Sequence, residues 1–385
     1  MDHKNFIIEN AAVVTPTGIL NGASLKVEEG RIAGIKEGSF TSNGIRKICG
    51  TGKTILPGFI DLHSDAVEKE IEPRPNIFFP VNIALFELDK KMAACGITTI
   101  FHALSFAEGE IGVRSNKKAG FIIKEIERLN NKFSVRTKVH ARFEITDEGA
   151  IPFLEILLKE RCIHLLSFMD HTPGQGQFKE ITSFKNYFGP VYNKSEAELD
   201  IIIDKKLSQR KIVKTHIDYL VSLCKPLGIP TASHDDDSRE KIEWLNQMEF
   251  TMSEFPVNKE ALTAAKDHGI SVCLGSPNAL RGNSTGNNLS VREAISLGFG
   301  DILCSDYAPM TILHALFTLV RLGILPLHKA VNMASLNPAE TVGLDHRTGS
   351  LEEGKSADLT LVDFEEEVPK ILKTFVAGKE VFSAC

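Results

Sequence analysis

Apolar runs that predict strands alternate with amphipathic patterns that predict helices through the middle of the chain. The strand candidates are 55–63, 97–105, 136–145, 163–170, 229–234, 250–255, 270–275 and 301–306, and the helical patterns include 81–94, 116–130, 240–248, 258–267, 291–297 and 311–322. Eight such repeats predict an α/β fold, a closed parallel (β/α)8 TIM-like barrel over residues 55–349. A doubly wound open sheet is the alternative, but it would not ordinarily place polar clusters at nearly every strand end.

Shorter strand patterns separated by turns occur at both ends of the chain. Examples are Phe6-Ile7-Ile8 near the start and Leu359-Thr360-Leu361-Val362 near the end. Because the two ends share this texture, we predict that residues 1–54 and 350–385 pair into one small β-sandwich domain beside the barrel. The segment 175–228 is too long for a single crossover helix, so we expect it to add helices after the fourth barrel strand.

Polar side chains capable of acid–base or metal chemistry end most of the predicted barrel strands. The first strand ends in His63 and Asp65, which share one face because they are two residues apart. Each histidine, taken singly, is more often a satisfied core or surface residue. Five such strand ends on one barrel face are nevertheless hard to obtain by chance, because buried charge is costly unless it is paired or binds metal. The later strand-end residues are His102, His140, Arg142, Glu144, Asp170, His171, His234, Asp235, Asp236, Asp237, Glu254, Asn278 and Asp306.

This ring of side chains predicts a divalent metal centre. Imidazole and carboxylate ligands suit zinc, which is the first candidate, and also manganese or iron. An ion with an open coordination position lowers the pKa of a bound water, and a free carboxylate nearby can take the remaining proton. We assign that general-base role to Asp306, at the end of the last strand. Its plainer alternative is to cap the following helix.

A Gly- and Asn-rich stretch at 275–288, after the seventh strand, predicts an anion-binding loop. Its Asn278 and Arg281 are donors, and barrels often bind phosphate in the loops after strands seven and eight. The alternative is an ordinary turn. Arg74 and Arg142, beyond the first and third strands, are further candidates because guanidinium groups match phosphate oxygens in a bidentate way.

Composition narrows the class of protein. The 385 residues are 43% hydrophobic and 24% charged, as in soluble globular proteins. A net charge of -6 gives no bulk attraction to nucleic acid or acidic membranes. The seven scattered cysteines without CxxC spacing favour reduced thiols. With no signal-peptide pattern and no membrane-length apolar run, we expect a cytoplasmic protein, with a homo-oligomer as one option.

Taken together, these residues resemble the amidohydrolase superfamily, whose members pair a metal-bearing barrel with a β-domain built from both chain ends. The closer resemblance is to the ribosyl 1-phosphonate 5-triphosphate diphosphatases of the bacterial carbon–phosphorus lyase pathway, and it covers nearly the whole chain in matching order. It rests on Leu62-His63-Ser64-Asp65, Pro73-Arg74-Pro75, Arg142-Phe143-Glu144, Met169-Asp170-His171-Thr172-Pro173-Gly174-Gln175, Ala232-Ser233-His234-Asp235-Asp236, Glu254-Phe255-Pro256, Pro277-Asn278-Ala279-Leu280-Arg281-Gly282 and Ser305-Asp306-Tyr307.

The resemblance implies a metal-dependent hydrolase that cleaves a ribosyl 5-triphosphate, a small phosphorylated sugar, to the 5-phosphate and pyrophosphate. Glu144 would be a bridging carboxylate in place of the superfamily's modified lysine. Asp65 departs from the pattern, because most members carry a second histidine there. The metal ligands carried over by motif are His63, Asp65, Glu144, His171, His234 and Asp306.

Two alternatives remain open from the sequence. One is a hydrolase of C–N bonds, a cyclic amidase or deaminase, which is the more usual chemistry on this scaffold. The other is a structural homologue without metal. Arg74, Arg142 and Arg281 favour the phosphate substrate, because a neutral ring would not need three guanidinium groups. The intact set of candidate ligands disfavours the metal-free homologue.

Overall fold

The chain folds into two β-sheets, the second of which is surrounded by helices. The computed structural model describes residues 4–41, 44–108, 113–174, 181–192, 195–209, 212–283, 290–364 and 368–384. In chain order the strands are β1 (Phe6–Thr15), β2 (Gly18–Glu28), β3 (Arg31–Glu37), β4 (Arg46–Cys49), β5 (Lys53–Pro57), β6 (Phe59–Ser64), β7 (Ile97–Phe106), β8 (Arg136–Glu144), β9 (Leu165–Met169), β10 (Thr231–His234), β11 (Met252–Glu254), β12 (Ser271–Gly275), β13 (Ile302–Cys304), β14 (Leu359–Asp363), β15 (Lys370–Val376) and β16 (Lys379–Ser383).

Three of the helices, α3, α8 and α9 in the order given below, begin at a residue whose side chain caps the helix. The side chains of Ser115, Ser238 and Asn258 accept hydrogen bonds from backbone N–H groups of the first turns that follow them. No helix in the described part of the chain combines the length and apolar character needed to span a bilayer. The helices are α1 (Ala66–Ile71), α2 (Val81–Ala94), α3 (Asn116–Leu129), α4 (Ile151–Lys159), α5 (Ile181–Tyr192), α6 (Glu196–Gln209), α7 (Val213–Leu227), α8 (Arg239–Gln247), α9 (Lys259–Asp267), α10 (Ser276–Arg281), α11 (Val291–Ser296), α12 (Thr311–Arg321), α13 (Leu327–Asn332) and α14 (Leu336–Thr341).

The second sheet is a parallel barrel whose eight strands, β6 to β13, lie side by side in sequence order. Its two edges meet where Ser64 forms a parallel bridge with Asp306, and the backbone N–H of Asp306 donates to the His63 carbonyl at 2.9 Å. The prediction of an α/β barrel is therefore confirmed. The prediction of extra helices after the fourth strand is also confirmed, since α5, α6 and α7 separate β9 from β10.

Strands from both ends of the chain pair in the first sheet, in the order β16-β15-β14-β5-β1-β2-β3, with β4 beside β1. The antiparallel pairing of β5 with β14, with Pro57 opposite Leu359, joins the two ends. Phe6, Ile55 and Phe375 are fully buried in a core of this sheet. A sandwich of two sheets in this part of the chain stays a prediction.

The prediction of a single strand over 55–63 is wrong, because this stretch contains parts of two strands. The chain leaves the terminal sheet after β5 and enters the barrel with β6, so the terminal sheet extends beyond residue 54 to Pro57. Gly58 lies between the two strands, where an added Cβ would overlap the side chain of Thr98. The sequence does not show this junction, because both strands are buried and residues 55–60 form one apolar run across it.

Strand alternation aims the functional side chains into the barrel. Along β8, Val139, Ala141 and Phe143 pack in the core between the barrel and its helices. The alternate residues therefore face the barrel interior, and they include Arg142 and Glu144, both buried.

Candidate metal centre

His63, at the end of β6, is held between two carboxylates. Its Nδ1 lies 2.9 Å from Oε1 of Glu254, and its Nε2 lies 3.6 Å from Oδ1 of Asp65. Burial opposes protonation of this imidazole, but Glu254 and Asp65 together outweigh burial and raise the pKa of His63 to about 10. The surroundings therefore favour a positive charge at this point, as a cation site requires.

Glu254 lies at the end of β11, as the sequence predicts, although the sequence assigns it no role. Its side chain is fully buried, and its second oxygen lies 3.7 Å from Nε2 of His140. Burial would raise the pKa of Glu254, yet His140 and His63 hold it well below its usual range. Glu254 therefore fixes the orientation of His63 from behind, in the way that carboxylates orient metal-binding histidines.

Arg142 occupies the centre of the cluster. Its Nη1 donates to both oxygens of Asp65, at 2.9 and 3.1 Å, and its Nη2 lies 3.2 Å from Nε2 of His234. Arg114, which lies between β7 and α3, approaches the same Asp65 at 3.5 Å and binds Glu68 at 2.9 Å. Burial alone would raise the pKa of Asp65, but Arg142 and His63 keep that carboxyl ionised by lowering its pKa well below the usual range.

His171 and Glu144 form the other side of the cluster. The Nδ1 of His171 lies 3.0 Å from Oε2 of Glu144, and Lys206 on α6 brings its Nζ to 3.1 Å from the other carboxylate oxygen. Burial raises the pKa of Glu144, but Lys206 and His171 outweigh burial and lower it well below the usual range. Sequence reasoning missed Lys206, because no local pattern marks one lysine of the helices α5 to α7 as different from the others.

His234, at the end of β10, connects the two sides. Its Nδ1 lies 3.1 Å from Oδ2 of the next residue, Asp235. The backbone of Asp235 is left-handed, with φ of 54°, which turns its carboxylate back toward the imidazole. The neighbouring Asp236 is fully buried and accepts hydrogen bonds from Ser233 and Ser253 at 2.6 and 2.5 Å, so this acidic stretch is held rigidly.

Asp306 follows β13 with a left-handed backbone, φ of 55°, and closes the barrel beside His63. Burial raises the pKa of Asp306, and the nearby Asp65 adds to that effect against the opposing charges of His63, Arg142 and His234. The next helix, α12, begins only at Thr311, so Asp306 does not cap it.

The predicted anion loop differs from expectation. Residues Ser276–Arg281 form helix α10, which ends at Gly282 with φ of 85°, and residues 284–289 lie outside the described part of the chain. Arg281 and Arg74 are exposed and Asn278 is half-buried. Within the described residues, none of these three side chains hydrogen-bonds to the central cluster, whereas Arg142 is part of it.

The donor atoms fit a divalent ion. Three overlapping groups bring ligand atoms within 4.8 Å of one another. The buried atoms Nδ1 of His234, Oδ2 of Asp235 and Oε2 of Glu254 have no hydrogen-bond partner among the described residues, which is costly unless an ion or water meets them. Their nitrogen and oxygen chemistry suits zinc, manganese or iron. The groups are His63 with Asp65 and Asp306, His63 with His234 and Glu254, and His171 with His234 and Asp235.

The sequence is similar to a family of hydrolases and to individual proteins of known activity. Residues 203–381 match the model of the amidohydrolase family. The chain is 31% identical over 381 residues, 98% of its length and 100% of the relative's, to alpha-D-ribose 1-methylphosphonate 5-triphosphate diphosphatase of Escherichia coli (strain K12). It is 22% identical to the dihydroorotase of Elusimicrobium minutum (strain Pei191), with 94% and 89% of the two chains covered.

Solved structures share the fold at low sequence identity. A Xaa-Pro dipeptidase superposes with a TM-score of 0.67 at 13% identity, covering 99% of this chain and 100% of that one. The N-acetylglucosamine-6-phosphate deacetylase from Pasteurella multocida has a TM-score of 0.63 at 14% identity, with 98% and 99% covered. From its full-length relative and its family match, the chain belongs to the amidohydrolase superfamily of hydrolases.

Proposed function

We propose that this protein hydrolyses α-D-ribose 1-methylphosphonate 5-triphosphate to the 5-phosphate, which keeps its phosphonate, and pyrophosphate, as a step of phosphonate catabolism. The observation that carries the proposal is the 31% identity that extends over 98% of the chain to a diphosphatase of that specificity. Fold alone would not support it, since one scaffold hosts many chemistries.

The residues that would hold a divalent ion are the six predicted ligands, with Asp235 and Glu254 added by their positions in the structure. When bound, such an ion supplies Lewis-acid polarisation of phosphate oxygens and a water that ionises near neutral pH. Zinc is the first candidate, with manganese and iron as alternatives. The predicted ligands are His63, Asp65, Glu144, His171, His234 and Asp306.

Asp306 is the proposed general base that accepts the proton of the attacking water. A carboxyl whose pKa is raised toward the working pH is better matched to proton transfer than an ordinary one, and burial has that effect here. Glu254 also has an indirect role, because the 2.9 Å contact of its Oε1 with Nδ1 of His63 fixes that ring, while its Oε2 has no hydrogen-bond partner among the described residues.

Positive groups support a triphosphate rather than a neutral ring as substrate. In-line attack on the α-phosphorus expels pyrophosphate, and phosphoryl transfer depends chiefly on positioning and on electrostatic stabilisation of the charge that develops. Arg142 lies within the cluster, while the exposed Arg74 and Arg281 and the half-buried Asn278 are the proposed first contacts of the phosphates. A hydrolase of C–N bonds is the alternative, favoured by the dihydroorotase relative.

A substrate panel distinguishes the two functions. Purified protein loaded with zinc or manganese is offered the ribosyl 5-triphosphate, ATP, dihydroorotate and a hydantoin, and both pyrophosphate release and ring opening are measured. The proposal expects pyrophosphate from the ribosyl triphosphate and no ring opening. Ring opening without pyrophosphate release would replace it with the alternative.

A further inference from the structure

We propose that two copies of this chain form a symmetric dimer through an exposed apolar face on one side of the barrel. Its members are each between 38% and 56% exposed, although all are large apolar residues. The inference depends neither on the metal centre nor on the proposed substrate. This apolar face consists of the loop residues Ile77, Phe78 and Phe79 and the helix residues Ile83, Phe121, Phe153 and Ile156.

The loop between α1 and α2 presents its apolar side chains to solvent on a fixed backbone. All of residues 73–80 are exposed. The backbone N–H of Phe79 donates to the carbonyl of Ile71 at 2.8 Å, and the N–H of Asn76 donates to Oε1 of Glu72 at 2.7 Å. Consecutive exposed apolar residues are unfavourable in a surface loop unless they have a function. The loop therefore has the form of a contact element.

The loop and the neighbouring helices form one continuous surface. The Nζ of Lys118, near the start of α3, lies 4.3 Å from the centre of the Phe78 ring. Phe121 follows Lys118 by three residues, so the two side chains are neighbours on the surface of α3. A Cβ at the adjacent Gly120 would lie 3.6 Å from Cδ1 of Phe153 on α4. The contacts therefore run from the loop across α3 to α4.

Ile83 and Ile156 extend the apolar face at its two edges. Ile83 lies in the first turn of α2, four residues after Phe79, and Ile156 lies one turn after Phe153 on α4. Helix α3 packs against both α2 and α4, because helices that follow successive strands of a barrel lie side by side. The apolar face thus spans three adjacent helices and the loop that precedes α2.

The size of the apolar face matches what a stable dimer needs. If a fully exposed side chain of this size contributes about 200 Å², seven residues that are about half exposed offer roughly 700 Å². The largest apolar patch on a typical monomer is about 300–600 Å². A standard interface buries about 800 Å² on each partner. A thin polar rim around the apolar face would supply the remaining area.

The charges beside the apolar face allow it to contact a copy of itself. A two-fold interface places the same surface on both subunits, so an excess of one charge would oppose association. Lys124 on α3 pairs with Glu160, and Lys159 pairs with Glu155 on α4. Residues 116–129 and 151–160 together carry five basic and four acidic side chains. This nearly neutral surface suits a second copy better than nucleic acid or an acidic membrane, which require a strongly basic face.

The mass of the protein in solution tests the inference. Sedimentation velocity and light scattering are measured over a range of protein concentrations, and we expect about twice the 42.4 kDa of one chain for the wild type. The double variant Phe121→Glu/Ile156→Glu would bury carboxylates in the interface. Its dissociation constant should therefore rise at least about 100-fold.

Leu297→Glu is the matched control for the double variant. It adds the same charge at a leucine that is 47% exposed, and this leucine follows α11, on the part of the barrel after its seventh strand. The apolar face lies after the first three strands, on the other side of the barrel. Leu297→Glu should therefore dimerise as tightly as the wild type.

A wild type that stays monomeric would overturn the inference and leave the apolar face to another kind of occupant. A folded double variant that associates as tightly as the wild type would overturn it too. Should the double variant fail to fold, Phe79→Ser decides, since it removes one exposed ring without adding charge. It should weaken the dimer at least about tenfold, and an unchanged dissociation constant would contradict the inference. Because no activity is measured, its failure would leave the proposed function standing.

Discussion

Three residues near the candidate centre share a left-handed backbone that non-glycine residues seldom adopt. Asp235, Phe255 and Asp306 have φ of 54°, 51° and 55°, each just beyond the end of a barrel strand. Such conformations cost of the order of 1–3 kcal/mol each and persist only where surrounding contacts impose them. Because these residues lie near His63 and His234, we infer that the left-handed backbone orients side chains at the strand ends toward the candidate centre.

The Asp306→Asn variant tests the proton-acceptor role at the residue scale. An amide keeps the size and one acceptor oxygen but cannot take a proton, so turnover should fall by about 10²- to 10⁴-fold. Because the substrate would still be bound by the arginines, KM should change much less than kcat. Steady-state kinetics measures both, and a kcat within about tenfold of wild type would contradict the assignment.

Protonation of His102 should make the folded protein less stable at low pH. Burial lowers the pKa of His102 to about 4, from an ordinary value of 6.5. Between pH 6.5 and 4 the unfolded chain therefore binds a proton at this residue that the folded chain does not bind. As the pH falls through this window, His102 lowers the free energy of unfolding by about 3 kcal/mol at most. Urea unfolding at several pH values should show a shallower acid loss in His102→Leu than in wild type. An equal slope in both proteins would exclude the contribution.

The candidate site was predictable where its chemistry is local in the sequence. His63 and Asp65 are two residues apart on a strand, and His171, His234 and Asp306 each follow an apolar run, so strand ends identify them. Their convergence then follows from the barrel. Contacts that depend on the exact path of distant segments were not predictable, as the pairing of Lys206 with Glu144 at 3.1 Å illustrates.

At the scale of elements, the strands and helices of the barrel follow the sequence pattern closely, and the errors have physical causes. The prediction of a loop over 275–288 is wrong for residues Ser276–Arg281, which form helix α10 within a stretch that is rich in glycine and asparagine. Pro277 in its first turn and Gly282 just past its end are in fact the ordinary start and stop residues of a helix. The positions of these two residues therefore indicate a helix more reliably than the composition of the stretch does.

The Gly58→Ala variant tests the junction between β5 and β6. An alanine Cβ would overlap the side chain of Thr98, so the substitution should destabilise the protein by about 1–3 kcal/mol through overpacking. Gly18→Ala is the matched control, because a Cβ at Gly18, the first residue of β2, meets nothing within 4 Å. Chemical denaturation compares the two, and equal stability of both variants would contradict the close approach.

At the scale of the whole molecule, one buried carboxylate ties the terminal sheet to the barrel. Asp358, just before β14, accepts hydrogen bonds from Arg136 of β8 at 2.5 Å, from Thr348 at 2.7 Å and from the backbone N–H of Ala377 at 2.8 Å. Its own carbonyl accepts from the N–H of Gly58 at 2.9 Å. The same residue therefore secures both the sheet and the point where the chain enters the barrel.

Asp358→Asn should destabilise the protein by about 3–5 kcal/mol, because it removes the charge of a carboxylate that is only 1% exposed and leaves Arg136 without that partner. The matched control is Asp363→Asn, which removes the partly exposed ion pair with Lys53 and should change stability by less than about 1 kcal/mol. Thermal and urea unfolding measure both effects. A loss no larger in Asp358→Asn than in the control would show that the sheet is held by other contacts.

Pyrophosphate release from α-D-ribose 1-methylphosphonate 5-triphosphate is the most direct test of the central claim that this barrel is a metal-dependent triphosphate hydrolase. The assay compares metal-loaded protein with the same sample stripped by a chelator and then reloaded. We predict release by the loaded protein, loss on stripping and recovery on reloading. The account would be contradicted if no pyrophosphate were released with zinc, with manganese or with iron. It would also be contradicted if release persisted unchanged after the metal was stripped.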